Sequence, residues 1–206
     1  MRSALIPDVI IGRLPLYLRA LSQMGREGKE ITSSQELGER LGISSAQIRK
    51  DLSQFGEFGK QGTGYNTQYL AEQLRRILKV DRVWDVALVG MGDLGRAVAH
   101  YGGFLDRGFR IVAIFDNDPA KIGKEVGGLP ILGTHGIEGE IRRRGIRVAM
   151  LAVPAAAAQA AADELIRAGV QAILCYAPTT VLVPEGVQVR YIDPVVGMQH
   201  MTHYLP

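Results

Sequence analysis

Val86-Ala87-Leu88-Val89-Gly90-Met91-Gly92-Asp93-Leu94-Gly95 decides how the second half of this 206-residue chain folds. An apolar strand-like run leads straight into Gly-x-Gly-x-x-Gly and then into a helical pattern, the context in which that spacing carries meaning. Gly90 permits a tight turn, Gly92 lets the backbone approach a pyrophosphate, and Gly95 allows helix and strand to pack closely. A pyrophosphate would rest on the free amides of the helix start, where the dipole favours negative charge. Asp116 ends the next apolar run, 21 residues after Gly95, near the offset expected of the acid that accepts hydrogen bonds from a ribose. Its charge disfavours a 2′-phosphate, so the expected cofactor is NAD(H).

Outward from the fingerprint, Val86–Val89, Ile111–Phe115, Val148–Val153, Ala172–Tyr176 and Val187–Ile192 read as short buried strands. Helices are expected at Leu94–Tyr101, Gly136–Arg144 and Ala155–Ala168. Strand and helix in alternation predict a Rossmann-type, doubly wound parallel α/β sheet, because parallel neighbours need crossovers. Ligands of such sheets bind at the carboxyl ends of strands. The expected cofactor-binding set is therefore Gly90, Met91, Gly92, Asp93, Leu94, Gly95, Asp116, Asn117, Lys121, Val153, Pro154, Ala177 and Pro178.

Composition narrows the function. Hydrophobic residues are 47% and charged residues 22%, enough to bury a core and too few charges for a disordered chain. One cysteine, Cys175, gives neither a disulfide framework nor a thiolate metal site; in an apolar strand it reads as a small core residue, and no metal is expected. No apolar run is long enough to span a membrane, and the chain start lacks signal-peptide architecture, so the cytoplasm is the expected location. A dehydrogenase needs an acid or base beside the nicotinamide, and no Tyr-x-x-x-Lys pair or His–Asp constellation stands at catalytic spacing. Catalysis is not expected.

The front is different. Residues 1–80 hold 12 Lys+Arg against 8 Asp+Glu, while residues 81–206 hold 12 against 13. The net charge of +3 is thus a basic front joined to a near-neutral remainder. Pro15 can start or kink a first helix that runs to Gly25. Ser33-Ser34-Gln35-Glu36 caps a second, stopped by Gly42, and Ser44-Ser45 caps a third from Ala46 to about Gln54. Helix, short turn and helix make a helix-turn-helix. Gly56–Tyr65 is too glycine-rich for a helix and suits a tight hairpin, a wing; Tyr69–Val80 reads as a last helix. The third helix presents hydrogen-bonding types for base edges and phosphates. The expected DNA-binding set is Ser44, Ser45, Gln47, Arg49, Lys50 and Ser53, with Lys60, Gly62, Gly64 and Tyr65 from the wing.

Together the two halves resemble the Rex family of bacterial redox-sensing transcriptional repressors. The residues that carry the resemblance are Arg13-Leu14-Pro15-Leu16-Tyr17, Gln47 to Gly56, Gly59 to Asn66, Val89 to Gly95, Phe115-Asp116, Lys121-Ile122-Gly123, Val153-Pro154 and Ala168-Gly169-Val170. The resemblance covers nearly the whole chain. It implies a homodimer that binds palindromic operator DNA with NAD+ or no ligand and releases it when NADH binds. It also implies that a C-terminal helix, here from about Pro194, swaps between subunits. By position, Arg19, Tyr101 and Asp193 match family residues proposed to couple the nicotinamide site to the DNA-binding domain.

The expected organisation is a winged-helix DNA-binding domain over 1–80, a Rossmann NAD(H)-binding domain over 81–192 and a C-terminal segment over 193–206. Two other readings start from the same residues. One is an NAD-dependent oxidoreductase with a helical appendage. The other is a CoA- or nucleotide-binding module, since Gly127–Gly133 resembles segments of CoA-binding domains, although Asp116 disfavours it.

Overall fold

In the computed structural model, which describes residues 6–59 and 63–205, Pro15 lies inside the first helix rather than at its start. Helix α1 spans Asp8–Arg26. It continues through the proline because Ile10 and Leu14 before it, and Tyr17, Leu21 and Met24 after it, are all buried. That burial outweighs the roughly 3 kcal/mol an interior proline costs.

Strand β1 (Ile31–Thr32) precedes α2 (Ser34–Leu41), which is capped by the Ser33 hydroxyl accepting from the Glu36 amide at 3.1 Å and ended by Gly42 in the left-handed region. Helix α3 (Ser45–Ser53) starts one residue earlier than its spacing suggests, because Ser44 is the cap and accepts from the Gln47 amide at 3.2 Å. The glycine-rich segment differs from the expected self-contained hairpin: its described strand, β2 (Tyr65–Asn66), pairs antiparallel with β1. Gly64 makes this possible. Its φ is +77°, and a Cβ there would stand 2.4 Å from the Thr32 carbonyl oxygen. Lys60 and Gly62, both expected in the wing, lie outside the described residues. Helix α4 (Thr67–Ile77) begins before Tyr69 because Asn66 caps it, accepting from the Tyr69 amide at 2.8 Å. Leu14, Tyr17, Leu21, Met24, Leu37, Ile48, Leu52, Leu70 and Leu74 close one core from these helices alone.

The chain divides into Met1–Arg82 and Val83–Pro206. The second unit contains β3 (Trp84–Val89), α5 (Asp93–Ala99), β4 (Phe109–Asp116), β5 (Glu125–Val126), β6 (Leu129–Gly133), α6 (Ile137–Arg144), β7 (Val148–Leu151), α7 (Ala155–Ala168), β8 (Ala172–Cys175), β9 (Gln188–Tyr191) and α8 (Pro194–Thr202). The strand order is β5-β6-β4-β3-β7-β8-β9, parallel except for the β5–β6 edge pair. Order reverses at β3, which lies between β4 and β7; that is the switch point of a doubly wound sheet, where ligands bind. Strands β5 and β6 carry no strand signal in the sequence, because Gly127-Gly128 and Pro130 interrupt the short apolar run.

Each face of the sheet carries its own core. Ala87, Val89, Phe115, Ala149, Leu151, Ile173 and Cys175 pack with α6 and α7; Val86, Leu88, Ile114, Ile131 and Met150 pack with Val98 of α5. Alternation breaks once. The β3–β4 register shifts between Val86 and Ala87, so that Val86 faces Ile111 and Ala87 faces Ala113, with Val112 as the extra residue of a bulge. Helix α8 has no buried residue, and Val195, Val196, Met198 and Met201 are exposed along it. Among the described residues no helix is long and apolar enough to cross a membrane, and no cluster of three or more His, Cys, Asp or Glu stands ready for a metal.

Candidate nucleotide and nucleic-acid sites

The three fingerprint glycines have three different physical reasons. Gly90 has φ +99°, and a Cβ on it would stand 2.4 Å from the Ala152 carbonyl oxygen, because the loop after β7 runs beside it. Gly95 is the closest approach of α5 to the turn: a Cβ there would lie 1.8 Å from the Gly90 carbonyl oxygen. A Cβ on Gly92 would meet nothing within 4 Å. Gly92 is the N-cap of α5 and offers no side chain to the helix amides, so its bareness serves nothing inside the folded chain. Space kept clear in front of free amides fits a pyrophosphate.

Asp116 closes the turn from the side. It is 5% exposed at the end of β4. Its Oδ2 accepts from the Met91 amide at 2.6 Å and from Lys121 Nζ at 3.2 Å, and its Oδ1 accepts from the Asp118 amide at 2.8 Å. Burial alone would raise this carboxyl, but the two amides and the Lys121 ammonium outweigh it and hold Asp116 below the ordinary carboxylate value. Of about four acceptor positions on a carboxylate, three are filled and one on Oδ1 remains, which suits a single ribose hydroxyl. The donors and the open turn therefore fit a dinucleotide.

The remaining expected residues sit where β3, β4, β7 and β8 end. Asp93 and Leu94 are exposed at the start of α5, with Asp93 paired to Arg96 at 2.7 Å. Asn117 is exposed after β4; Val153 is half-buried and Pro154 exposed before α7; Ala177 is buried and Pro178 exposed after β8. Met91 itself is fully buried, so its amide, not its side chain, faces the turn. Cys175 is buried in β8, and burial pushes its thiol up. Tyr101, half exposed just past α5, stacks edge-on against Phe104 at 5.0 Å. Asp193 caps α8 by accepting from the Val195 amide at 2.9 Å. Arg19 is exposed on α1, in the other unit of the chain.

In the first unit, α3 carries Ser44, Arg49, Lys50 and Ser53 exposed and Ser45 and Gln47 half-buried. Several of these already have duties: Arg49 Nη1 donates to Ser34 Oγ at 2.9 Å, and Ser53 Oγ donates to the Lys50 carbonyl at 2.8 Å. Arg49, Ser53, Gly64 and Tyr65 line one groove with Ser33, Ser34 and Phe58. A feature missed in the sequence lies behind α3. Asp51 is fully buried and accepts from Arg13 Nε at 2.6 Å, Arg13 Nη2 at 2.7 Å, Tyr17 Oη at 2.6 Å and Gln47 Nε2 at 2.7 Å. Burial opposes its charge, yet these donors hold it below the ordinary value; burial and Asp51 together push the Tyr17 phenol up. Asp51 and Tyr17 lie 34 positions apart, and only the packing of α1 on α3 joins them.

Both halves match known families. Residues 5–53 match a family described as "Putative DNA-binding protein N-terminus", and residues 81–179 match "CoA binding domain". The "Redox-sensing transcriptional repressor Rex" of Roseiflexus sp. (strain RS-1) is 54% identical over 199 residues, covering 97% of this chain and 90% of that protein. This chain belongs to the Rex family. The crystal structure of RSP, a Rex-family repressor, in complex with beta-NAD+ and operator DNA matches with a TM-score of 0.92 at 34% identity, covering 98% of this chain and 93% of that one. RSP in complex with beta-NADH matches with a TM-score of 0.89 at 32% identity, over 98% and 95% of the two chains. Rex relatives are named as repressors, not enzymes, and the oxidoreductase and CoA-module readings are not favoured.

Proposed function

We propose that this protein is a transcriptional repressor of the Rex family that senses the NADH/NAD+ ratio, binding palindromic operator DNA as a cytoplasmic homodimer and leaving it when NADH binds. The observation that carries the reading is the union, in one chain, of a capped helix-turn-helix with polar α3 and a glycine turn left open at Gly92 beside a buried, anionic Asp116. Gly90 to Gly95 with Asp116, Asn117 and Lys121 hold the adenosine and pyrophosphate. Val153, Pro154, Ala177 and Pro178 line the nicotinamide end. Ser44, Ser45, Gln47, Arg49, Lys50 and Ser53, with Lys60, Gly62, Gly64 and Tyr65, contact DNA. The protein needs no metal.

The winged helix occupies 1–80, the Rossmann domain 81–192 and the exchanged segment 193–206. Helix α8, apolar and unburied in the single chain, supports the exchange between subunits. Tyr101, Asp193 and Arg19 couple the sites by changing hydrogen-bond partners with the charge of the nicotinamide ring. A gel shift on palindromic DNA at one stated salt concentration tests the reading, because salt alone changes affinity by orders of magnitude. Release by NADH and not by NADPH is expected; no binding at any salt would overturn it. Arg19→Ala should bind DNA and ignore NADH, and unchanged NADH sensitivity would remove the coupling role.

A further inference from the structure

The side chain of Gln47 has a fixed orientation, and the reason is Asp51. Among the described residues, Asp51 is the one charged side chain of the winged helix that is fully buried. As a carboxylate it can only accept, and four N–H and O–H donors fill its roughly four acceptor positions: two from Arg13, one from Tyr17 and one from Gln47. If the Gln47 amide turned over, its Oε1 would face Asp51 Oδ1 at hydrogen-bond distance with no proton between them. One orientation is therefore allowed. In it, one N–H of Nε2 is spent on Asp51, and Oε1 and the second N–H are left, an acceptor beside a donor.

That pair matches adenine, which offers an N6 donor beside an N7 acceptor in the major groove; guanine offers two acceptors there, O6 and N7. A freely rotating glutamine pays side-chain entropy to make such a contact, whereas one already held pays less. Arg13 and Tyr17 come from α1 and Gln47 from α3, so the carboxylate also ties the reading helix to the scaffold.

We propose that Asp51 is a positioning residue for sequence readout: it holds the Gln47 amide in the one orientation that selects an A·T pair in each operator half-site. The proposal rests on Gln47 touching a base edge, as in the function proposed above.

The test uses the full-length protein and a palindromic duplex that it selects from a randomised DNA pool, with every symmetric single-base-pair variant as competitor in gel shifts at fixed salt. Gln47→Ala should lose discrimination at one A·T pair, which a good bidentate contact sets at about 5- to 150-fold, and keep it elsewhere. Asp51→Asn, isosteric but able to donate as well as accept, should lose discrimination at that same pair, and the double variant should be no worse than Gln47→Ala. A purely structural role would instead weaken binding to all duplexes alike.

If Gln47→Ala leaves every position unchanged, the base contact is wrong and the proposal goes with it. If Gln47→Ala loses one position while a folded Asp51→Asn retains it, only the positioning role is overturned. Should Asp51→Asn fail to fold, side-chain amide exchange in the unsubstituted protein decides: one Gln47 N–H protected well beyond the other glutamine amides supports the proposal, and both exchanging freely refutes it.

Discussion

Gly92→Ala and Gly95→Ala differ by one methyl each and should fail in opposite ways. At position 95 the new Cβ would lie 1.8 Å from the Gly90 carbonyl oxygen and 2.9 Å from its carbon, both backbone atoms, so the turn must retreat by more than an ångström. Overpacking of that kind costs about 1–3 kcal/mol. For a unit the size of Val83–Pro206 this lowers the melting temperature by about 4–12 °C, with or without ligand. At position 92 the Cβ meets nothing within 4 Å and the backbone, with φ −71°, suits any residue. Losing glycine at an N-cap costs up to about 1 kcal/mol, and a stiffer unfolded chain returns about 0.4–1 kcal/mol. The ligand-free protein should therefore melt no more than about 2 °C below the unsubstituted one. The methyl instead stands where a pyrophosphate would approach, so the overpacking cost falls on the complex and weakens NADH binding by about 5- to 150-fold. Thermal melts without ligand and calorimetric titration with NADH separate the two effects. Gly92→Ala that binds NADH normally, or that melts as low as Gly95→Ala, would refute the assignment of that open space.

Arg13→Met removes two of the four donors to Asp51 and leaves a buried carboxylate without its counter-charge, which typically costs about 3–5 kcal/mol; an unfolding free energy of the first unit, from urea titration, within about 0.5 kcal/mol of the original would contradict this account. Asp51 and Asp116 are both held below the ordinary carboxylate value near 4, so the unfolded chain takes up their protons first. Their contribution is complete at neutral pH and is lost as pH falls through the lower folded values; the stability gap between the unsubstituted protein and Asp51→Asn should narrow from pH 6 to about pH 3, and a widening gap would reverse the sign. Cys175 is buried with its thiol pushed up, so a water-soluble thiol reagent should label it only at the rate of unfolding, and rapid labelling of the native protein would count against its place in the core.

The doubly wound sheet was legible because a buried parallel strand announces itself as a β-branched run, and the switch point because glycine spacing survives in one dimension. Helices α2 and α3 were legible through Ser33, Gly42 and Ser44, whose capping chemistry acts over three or four residues. What stayed hidden depends on distance along the chain. Pro15 reads equally as the start of a helix or a kink within one until the packing of Tyr17 and Leu21 is known. Asp51 looks like one more charge on a polar helix until α1 brings Arg13 to it, and the pairing of β2 with β1 across more than thirty residues has no local sign.

The bulge at Val112 acts as a frame setting for β4. Upstream, Phe109 and Ile111 face the α5 side; downstream, Ala113 and Phe115 face the α6–α7 side and Ile114 returns to the first. Had β4 run through Val112 in unbroken alternation, every side chain after it would exchange faces, and Phe115 and Asp116 would exchange with them. The face from which the carboxylate reaches the glycine turn is thus set by the bulge four residues before it, and its local hydrogen bonds act only once that face is chosen. Deleting Val112 should abolish the bulge and keep the Asp116–Met91 bond, because Ala113 then follows Ile111 in ordinary alternation, whereas a one-residue insertion between Ala113 and Ile114 should exchange the faces and break it.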